Sequence, residues 1–315
     1  MAGILTRIVA VLMLLSLTAC GDDRPEKITQ LQQLDSQRLQ KLARQLDDGQ
    51  IRNAMLLAQY SQILSAERPQ LKPLLNEMAK DSTPQGPMFS ALKQRLQDAA
   101  NAGNFPGLDE QLQELQNIYQ ATDPSQYNDM LSDQVNVVAD MSDGKLARVN
   151  AISQESSTVA NQAEDFGPGK QLVGNPSYGQ WTTGSNGVSF WEWYGMYAMF
   201  SNIFNRPIYY DNWSRSRDYS YYNDVGRYRY TSPKQASSQD QLYQRTKKRF
   251  DSQGKRFDSP YAKSRTGASA LSRQSVSSPK QSPKAGGSKF RSNYAKDSSF
   301  RNSGFRTSRG ISRGK

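Results

Sequence analysis

The sequence contains no histidine and only one cysteine, and these shortages limit its chemistry. Histidine is the commonest metal ligand and the commonest general base at neutral pH, so sites that pair it with a nucleophile or a metal are excluded. A single cysteine cannot form an intramolecular disulfide. No glycine-rich phosphate-binding loop stands between a predicted strand and a helix. We therefore expect a protein without enzymatic activity and without a metal or other cofactor.

Apolar residues are also scarce. Only 36% of the 315 residues are hydrophobic, and the mean hydropathy is −0.78. A chain of this length suffices for one or two domains. At this composition, however, part of it should bury too little apolar surface to offset the entropy lost on folding. We therefore expect some of the chain to be disordered.

The charges are divided unevenly along the chain. Residues 21–166 contain 13 basic and 21 acidic side chains, whereas residues 167–315 contain 26 basic and 8 acidic ones. The formal net charge of the whole sequence is +11. An acidic front half and a basic rear half indicate separate roles, and the rear half is suited to docking on an anionic surface.

The first 20 residues have the pattern of a secretory leader. Arg7 supplies positive charge, and residues 8–17 form an apolar run. A bilayer span needs about 20 apolar residues, so this run is too short for a transmembrane helix. It ends in Leu17-Thr18-Ala19-Cys20, an apolar residue and two small residues before a cysteine. This segment resembles the bacterial lipobox.

The resemblance implies that residues 1–19 are a signal peptide that is removed, and that Cys20 carries lipid, palmitate among its acyl groups. Residues 20–23 would then be a lipidated N-terminus that holds the protein on a membrane. Gly21, rather than aspartate, follows the cysteine, and in enteric-type sorting this favours the outer membrane over the inner one. We expect a lipid-anchored protein of the cell envelope that faces the periplasm. The alternative is an ordinary signal peptide followed by a buried free cysteine.

Residues 24–158 have apolar side chains at helical spacing and almost no strand pattern. We predict helices at 24–46, 50–66, 71–78, 82–103, 108–121 and 123–138, with a weaker one at 144–158. Ser82-Thr83-Pro84 and Asp123-Pro124-Ser125 are read as helix starts. Short amphipathic helices joined by short turns indicate a small α-helical bundle. The alternative for the first helix is a coiled-coil arm that mediates oligomers.

Glycine and then aromatic residues dominate the next part of the chain. Residues 159–187 have the composition of a glycine-rich linker, and residues 188–231 form an aromatic-rich module. For its densest stretch, 188–204, three interpretations remain open: a core element, a segment lying at the membrane–water interface, or an aromatic groove that binds a glycan or peptide. The candidate binding residues are Trp181, Trp191, Trp193, Tyr194 and Trp213.

Two weaker patterns lie within the aromatic module. Alternation at Tyr219 and Tyr221 and again at Tyr228 and Tyr230 indicates short strands, with a turn at residues 223–226. Four carboxylates stand among the aromatic residues and could form a pair that hydrolyses a cell-wall glycan, which is the third and least favoured function. These are Glu192, Asp211, Asp218 and Asp224.

Residues 232–315 show no sustained hydrophobic period, and we predict a disordered tail. It carries 20 basic and 4 acidic residues, a net charge of +16. Single phenylalanines recur beside the cations and could insert at an interface; they are Phe250, Phe257, Phe290, Phe300 and Phe305. For a chain beyond the inner membrane, the expected partners are anionic lipid, lipopolysaccharide or the cell wall, and nucleic acid is not expected. The alternative is a solubilising tail without a partner.

The predicted fold class is mainly α: a small helical bundle, an aromatic-rich module and a long disordered basic tail. The favoured function is a non-enzymatic structural or adaptor lipoprotein of the cell envelope whose tail contacts anionic surfaces. The alternative is a glycan- or peptide-binding lipoprotein that uses the aromatic module.

Overall fold

The computed structural model describes residues 22–204 and 207–267. Within these ranges the protein is mainly α-helical, as predicted, with one two-stranded sheet. The predicted signal peptide, the lipidated Cys20 and the tail beyond residue 267 lie outside the described residues. So do Phe290, Phe300 and Phe305.

The front half folds into consecutive helices, which confirms the helical spacing predicted there. They are α1 (Arg24–Asp47), α2 (Arg52–Glu67), α3 (Lys72–Ala79), α4 (Pro87–Ala99), α5 (Leu108–Ala121), α6 (Pro124–Met130), α7 (Ser132–Asp140) and α8 (Gln154–Asn161). The start of α6 is the predicted one, because the Asp123 carboxylate accepts hydrogen bonds from the backbone N–H groups of Ser125 and Gln126. Helix α1 packs on α4 and α5 of the same chain through Ile28. This packing belongs to the predicted helical bundle, whereas the alternative prediction for α1 was a coiled-coil arm that mediates oligomers.

Two helix starts predicted in the front half are wrong. Helix α4 begins at Pro87, not at Ser82, because the Asp81 carboxylate accepts a hydrogen bond of 3.0 Å from Met88 N–H in its first turn. The helix predicted over 144–158 begins only at Gln154. The chain before it is irregular because the Asn136 side chain bonds both the N–H and the C=O of Val149 and holds that loop.

The predicted linker at 159–187 is also wrong, since much of it is packed. Leu172, Val173 and Tyr178 are fully buried. Gly174 has a φ of +88°, and a side chain there would lie 3.0 Å from the Trp213 ring. The segment ends in strand β1 (Gly179–Thr183), which pairs with β2 (Ser189–Trp193) in an antiparallel hairpin that places Trp181 opposite Trp191.

The strands predicted around Tyr219 and Tyr228 are helical instead. After α9 (Met199–Phe204) and α10 (Tyr210–Ser216), the chain forms a π-helical turn, Tyr222–Gly226, and α11 (Arg227–Tyr230). The physical reason is Asp133 of α7. Its two carboxylate oxygens accept hydrogen bonds from the N–H groups of Tyr221 and Tyr222, at 2.7 and 2.9 Å, and so cap a helical segment.

The predicted disorder from Ser232 onward is wrong for residues 232–267. Helix α12 (Pro233–Asp251) begins with a capping box in which Ser232 and Gln235 satisfy each other's backbone N–H groups. Its apolar face buries Leu242 and Phe250, and Phe257 beyond it is only 2% exposed. These side chains supply the apolar burial that the composition of the tail did not indicate.

One apolar core extends from Leu39 in α1 to Phe257 after α12. The helices of the front half, the hairpin and α12 all contribute to it, so the predicted helical domain (24–158) and aromatic module (188–231) share a core. Within the described ranges, no helix combines the length and apolar character that crossing a membrane requires.

Candidate binding cleft beside the hairpin

Most of the predicted aromatic binding residues belong to the core. Trp191, Trp193 and Trp213 are each less than 10% exposed, and Trp181 lies edge-on to Trp191 with ring centroids 5.1 Å apart. Phe250 and Phe257 pack on each other at 4.8 Å, so neither is available to insert at an interface as predicted. For these side chains the structure favours the core interpretation.

Three of the predicted binding residues, Trp181, Trp191 and Tyr194, do line a cleft between the hairpin and helix α12. The volume of this cleft is about 350 Å³. Its volume lies within the range of ligand sites, roughly 300–1,000 Å³. The hairpin side is lined by Gly174, Pro176, Gly179, Gln180, Trp181, Trp191 and Tyr194, and the helix side by Lys234, Gln235, Ser238, Gln239, Leu242 and Arg245. The cleft therefore joins an aromatic wall to a polar and basic one.

Glycine at position 179 opens the floor of the cleft. A Cβ atom there would lie 2.7 Å from the Trp191 ring and 2.4 Å from the Glu192 carbonyl oxygen. Only a residue without a side chain lets β1 run this close to the indole. Tyr194, at the end of β2, is 43% exposed and forms part of the rim.

Strand β1 lies at the edge of the sheet. The other side of β2 is occupied, because Trp191 N–H donates to the Ile208 carbonyl at 2.8 Å and Phe190 forms a bridge with Tyr209. At the end of β2, Tyr194 N–H donates to the Tyr178 carbonyl at 2.9 Å. In the described ranges, no backbone pairs with the outer edge of β1, which lies on the side of the cleft.

The two charged residues that line the cleft are both basic. Lys234 and Arg245 are exposed, and neither forms an ion pair with another described residue. No carboxylate of residues 22–204 or 207–267 lines the cleft. Glu192 does not line the cleft, although it projects from the same hairpin face as Gln180 and Tyr194, which do. Thr182 and Gln180 donate hydrogen bonds of 2.6 and 3.1 Å to its carboxylate and lower its pKa. An anionic ligand is therefore favoured.

The other carboxylates considered for glycan hydrolysis are held elsewhere by cations. Asp218 lies 3.1 Å from Lys170, Asp224 is bound by both terminal nitrogens of Arg217, and Asp211 pairs with Arg249. None of them lines the cleft. In the part of the chain that the structure describes, no cluster of histidine, cysteine, aspartate or glutamate side chains could hold a metal ion.

A second groove, of about 770 Å³, lies between α1 and α4. Its base is apolar, with Leu39, Phe89 and Leu96, and its rim carries glutamines and Lys93. Unlike the cleft, it offers neither a sheet edge nor a pair of cations.

Sequence reasoning missed Lys234 and Arg245 as site residues because α12 itself was missed. One signal was available: Ser232-Pro233-Lys234-Gln235 has the serine and glutamine spacing of a capping box, with proline at the first helical position. The edge position of β1 had no such signal, since it depends on the pairing of β2 with Tyr209.

In comparisons with protein-family models, curated proteins and solved structures, the chain has no match.

Proposed function

We propose that this protein is a lipid-anchored, non-enzymatic adaptor of the bacterial cell envelope that binds an acidic ligand in the cleft between the hairpin and α12. The observation that carries the proposal is the pairing of an aromatic wall with two cations, Lys234 and Arg245, that have no acidic partner among the described residues. A ligand carboxylate would supply that partner.

Anchoring is supported by the lipobox-like Leu17-Thr18-Ala19-Cys20. Two or three acyl chains anchor a protein stably, because each buried methylene contributes about 0.8 kcal/mol. Helix α1 begins only four residues after Cys20. The folded part would therefore lie close to the membrane surface, in the periplasm, with the outer membrane favoured.

The basic tail supports a second contact with anionic surfaces. Residues 268–315 contain 11 basic residues and 1 acidic residue. Each lysine or arginine near an anionic membrane contributes about 1 kcal/mol, and salt screens this attraction. In this proposal, lipid on Cys20 fixes the protein, the tail contacts anionic lipid, lipopolysaccharide or cell wall, and the cleft presents the specific binding site.

Replacing the lipidated residue tests the anchor. We expect Cys20→Ser to abolish palmitate labelling and to leave only a weak association with membranes. The remaining association should depend on the positive charge of the tail. We therefore expect 1 M salt to release the protein from the membrane, because the Debye length falls from about 10 Å at 0.1 M to about 3 Å at 1 M. Asp22→Asn, which leaves the lipobox intact, is the matched control. Absence of palmitate from the unaltered protein would contradict the proposed anchoring.

Site-specific photocrosslinking in living cells tests the cleft. A crosslinking amino acid at Ser238, which lines the cleft, should form a defined adduct, whereas one at Gln244, exposed on another face of the same helix and outside the cleft, should not. We expect Lys234→Glu with Arg245→Glu to reduce the Ser238 adduct at least tenfold, because these changes remove both cations that meet the ligand. Adduct yield is read by immunoblot.

The matched control reverses two exposed cations outside the cleft, Lys248→Glu with Lys255→Glu, and so makes the same change in net charge. It should leave the Ser238 adduct unchanged. Equal loss of the adduct in both double variants would show that only overall charge matters and would contradict a specific acidic ligand in the cleft.

A further inference from the structure

The free edge of β1 presents unpaired backbone groups. In an antiparallel ladder, alternate residues direct their N–H and C=O groups to opposite sides of the strand. The Tyr178 carbonyl accepts a hydrogen bond from β2, so the backbone groups of Gln180 and Thr182 also face β2. The backbone groups of Gly179, Trp181 and Thr183 therefore face outward, away from β2. Among the described residues, none of these three outward-facing residues has a backbone partner on that side.

This edge lacks the features that usually block strand addition. Edge strands are commonly protected by lysine, proline, a bulge or a covering element. The sequence of β1, Gly-Gln-Trp-Thr-Thr, has no charge and no proline, and its pairing with β2 runs without a bulge. What lies beside it is the open cleft.

Helix α12 forms the opposite wall with one stripe of side chains. Lys234, Ser238, Leu242 and Arg245 follow one another at intervals of four, four and three residues, and so lie on one face of the helix. A slot between a strand edge and a helix is a recurring site for an extended peptide, where main-chain hydrogen bonds provide affinity and side-chain contacts provide specificity.

The two cations set a spacing along this slot. Lys234 and Arg245 are eleven residues apart, or about 16 Å along the helix axis. An extended strand advances about 3.4 Å per residue, and its alternate side chains share a face. In a peptide strand that runs along α12, acidic side chains four residues apart, about 14 Å, would therefore match the two cations once the reach of the long lysine and arginine side chains is included.

We propose that the cleft binds an extended acidic segment of a partner protein, which adds to the edge of β1 as a further strand while two of its carboxylates, four residues apart, meet Lys234 and Arg245. This inference rests on the proposed function and names its ligand. The protein's own tail is not the occupant, because residues 268–315 are strongly basic and would be repelled. A second copy of β1 does not fit either, since it carries no carboxylate.

Fluorescence anisotropy with the full mature chain in detergent tests this directly. The probe is a fluorescein-labelled nonapeptide, Val-Glu-Val-Thr-Val-Glu-Val-Thr-Val, whose glutamates are four residues apart. We expect saturable binding of this probe, and at least tenfold weaker binding when both glutamates are replaced by lysine. With Lys234→Glu and Arg245→Glu the preference should reverse toward the lysine peptide, whereas Lys248→Glu with Lys255→Glu should keep the original preference.

N-methylation of the peptide backbone separates strand addition from simple charge pairing. Methyl groups on one alternate set of amides block the ladder to β1, and methyl groups on the other set point away from it. We expect one of the two methylated peptides to bind at least tenfold more weakly than the other. A tenfold loss corresponds to about 1.4 kcal/mol, and several hydrogen bonds are lost at once.

The outcomes distinguish this inference from the proposed function. If both methylated peptides bind like the unmodified probe while Lys234→Glu with Arg245→Glu abolishes binding, strand addition is wrong and an acidic ligand in the cleft still holds. If neither the glutamate nor the lysine peptide binds, both proposals are overturned. Light scattering that shows a dimer dissociating on Thr183→Pro, which removes an outward-facing N–H group of β1, with no peptide binding, would assign the edge to a second copy.

Discussion

Replacing Arg95 by methionine should lower the free energy of unfolding by about 3–5 kcal/mol. Arg95 of α4 and Glu114 of α5 form a bidentate ion pair with N–O distances of 2.6 and 2.9 Å, and their side chains are 5% and 2% exposed. Methionine fills similar volume but leaves the Glu114 carboxylate buried without its cation. Chemical denaturation monitored by helical circular dichroism measures the loss.

A second variant tests this reasoning. Arg95→Met with Glu114→Leu removes both charges, and we expect it to recover most of the lost stability, because an apolar pair can replace a buried ion pair at little cost. The exposed pair of Lys145 and Glu67 is the matched control, and Lys145→Met should change stability by less than about 1 kcal/mol. A double variant as unstable as Arg95→Met would contradict the ion-pair account and point to lost packing or to the lost bond from Arg95 to the Arg229 carbonyl.

The fold was predictable from sequence where a local signal agreed with the final packing. Helix α5 matches its predicted bounds, because apolar residues at helical spacing coincide with the face that buries Leu115 and Ile118. The Asp123-Pro124 start of α6 was predictable for the same reason, since a cap is a local interaction.

Prediction failed where a distant residue determines the local structure. Tyrosines around position 221 alternate as they would in a strand, yet Asp133, almost ninety residues earlier in the chain, caps them as a helix. Tyr178 lies in a segment with the composition of a linker, but its hydroxyl donates a hydrogen bond of 2.6 Å to the buried Asp81 carboxylate. No window of sequence around either tyrosine contains its partner.

The site shows the same limit. The clustered aromatic residues predicted either a core element or a binding surface. The sequence did not indicate that most of the tryptophans would fill the core while Trp181, Trp191 and Tyr194 also line a cleft. The basic composition after Ser232 indicated an anionic ligand, but Lys234 and Arg245 become a matched pair only because α12 places them on one face beside β1.

Stability should fall as the pH rises from about 4 to about 7, in part because of Asp35. This residue of α1 is fully buried, and neither of its carboxylate oxygens has a hydrogen-bond partner among the described residues. Burial raises the pKa of Asp35 to about 7. The positive charge of Arg38 on the same helix lowers this pKa, and the negative charge of Glu114 of α5 raises it further. Glu114 is itself paired with Arg95 of α4. Asp133, whose pKa burial also raises to about 7, contributes in the same direction.

The sign follows from proton binding. Above the ordinary pKa of 3.8, the unfolded chain loses the Asp35 proton while the folded chain keeps it until about pH 7. Folding therefore becomes less favourable through this window, and the loss is complete above it. A shift of about three pH units corresponds to about 4 kcal/mol, since each unit is worth 1.36 kcal/mol.

Asp35→Asn, which resembles the protonated acid in size and charge, should raise the free energy of unfolding at pH 8 by about 2–4 kcal/mol and change it little at pH 4. Its stability should depend less steeply on pH between 4 and 7 than that of the unaltered protein, and Asp133 would account for part of the slope that remains. Asp47→Asn, at an exposed position on the same helix, is the matched control and should leave the curve unchanged. Denaturation at a series of pH values gives all three curves. An Asp35→Asn curve parallel to that of the unaltered protein would show that Asp35 is ionised in the folded state throughout, with a cation or water reaching it inside the bundle.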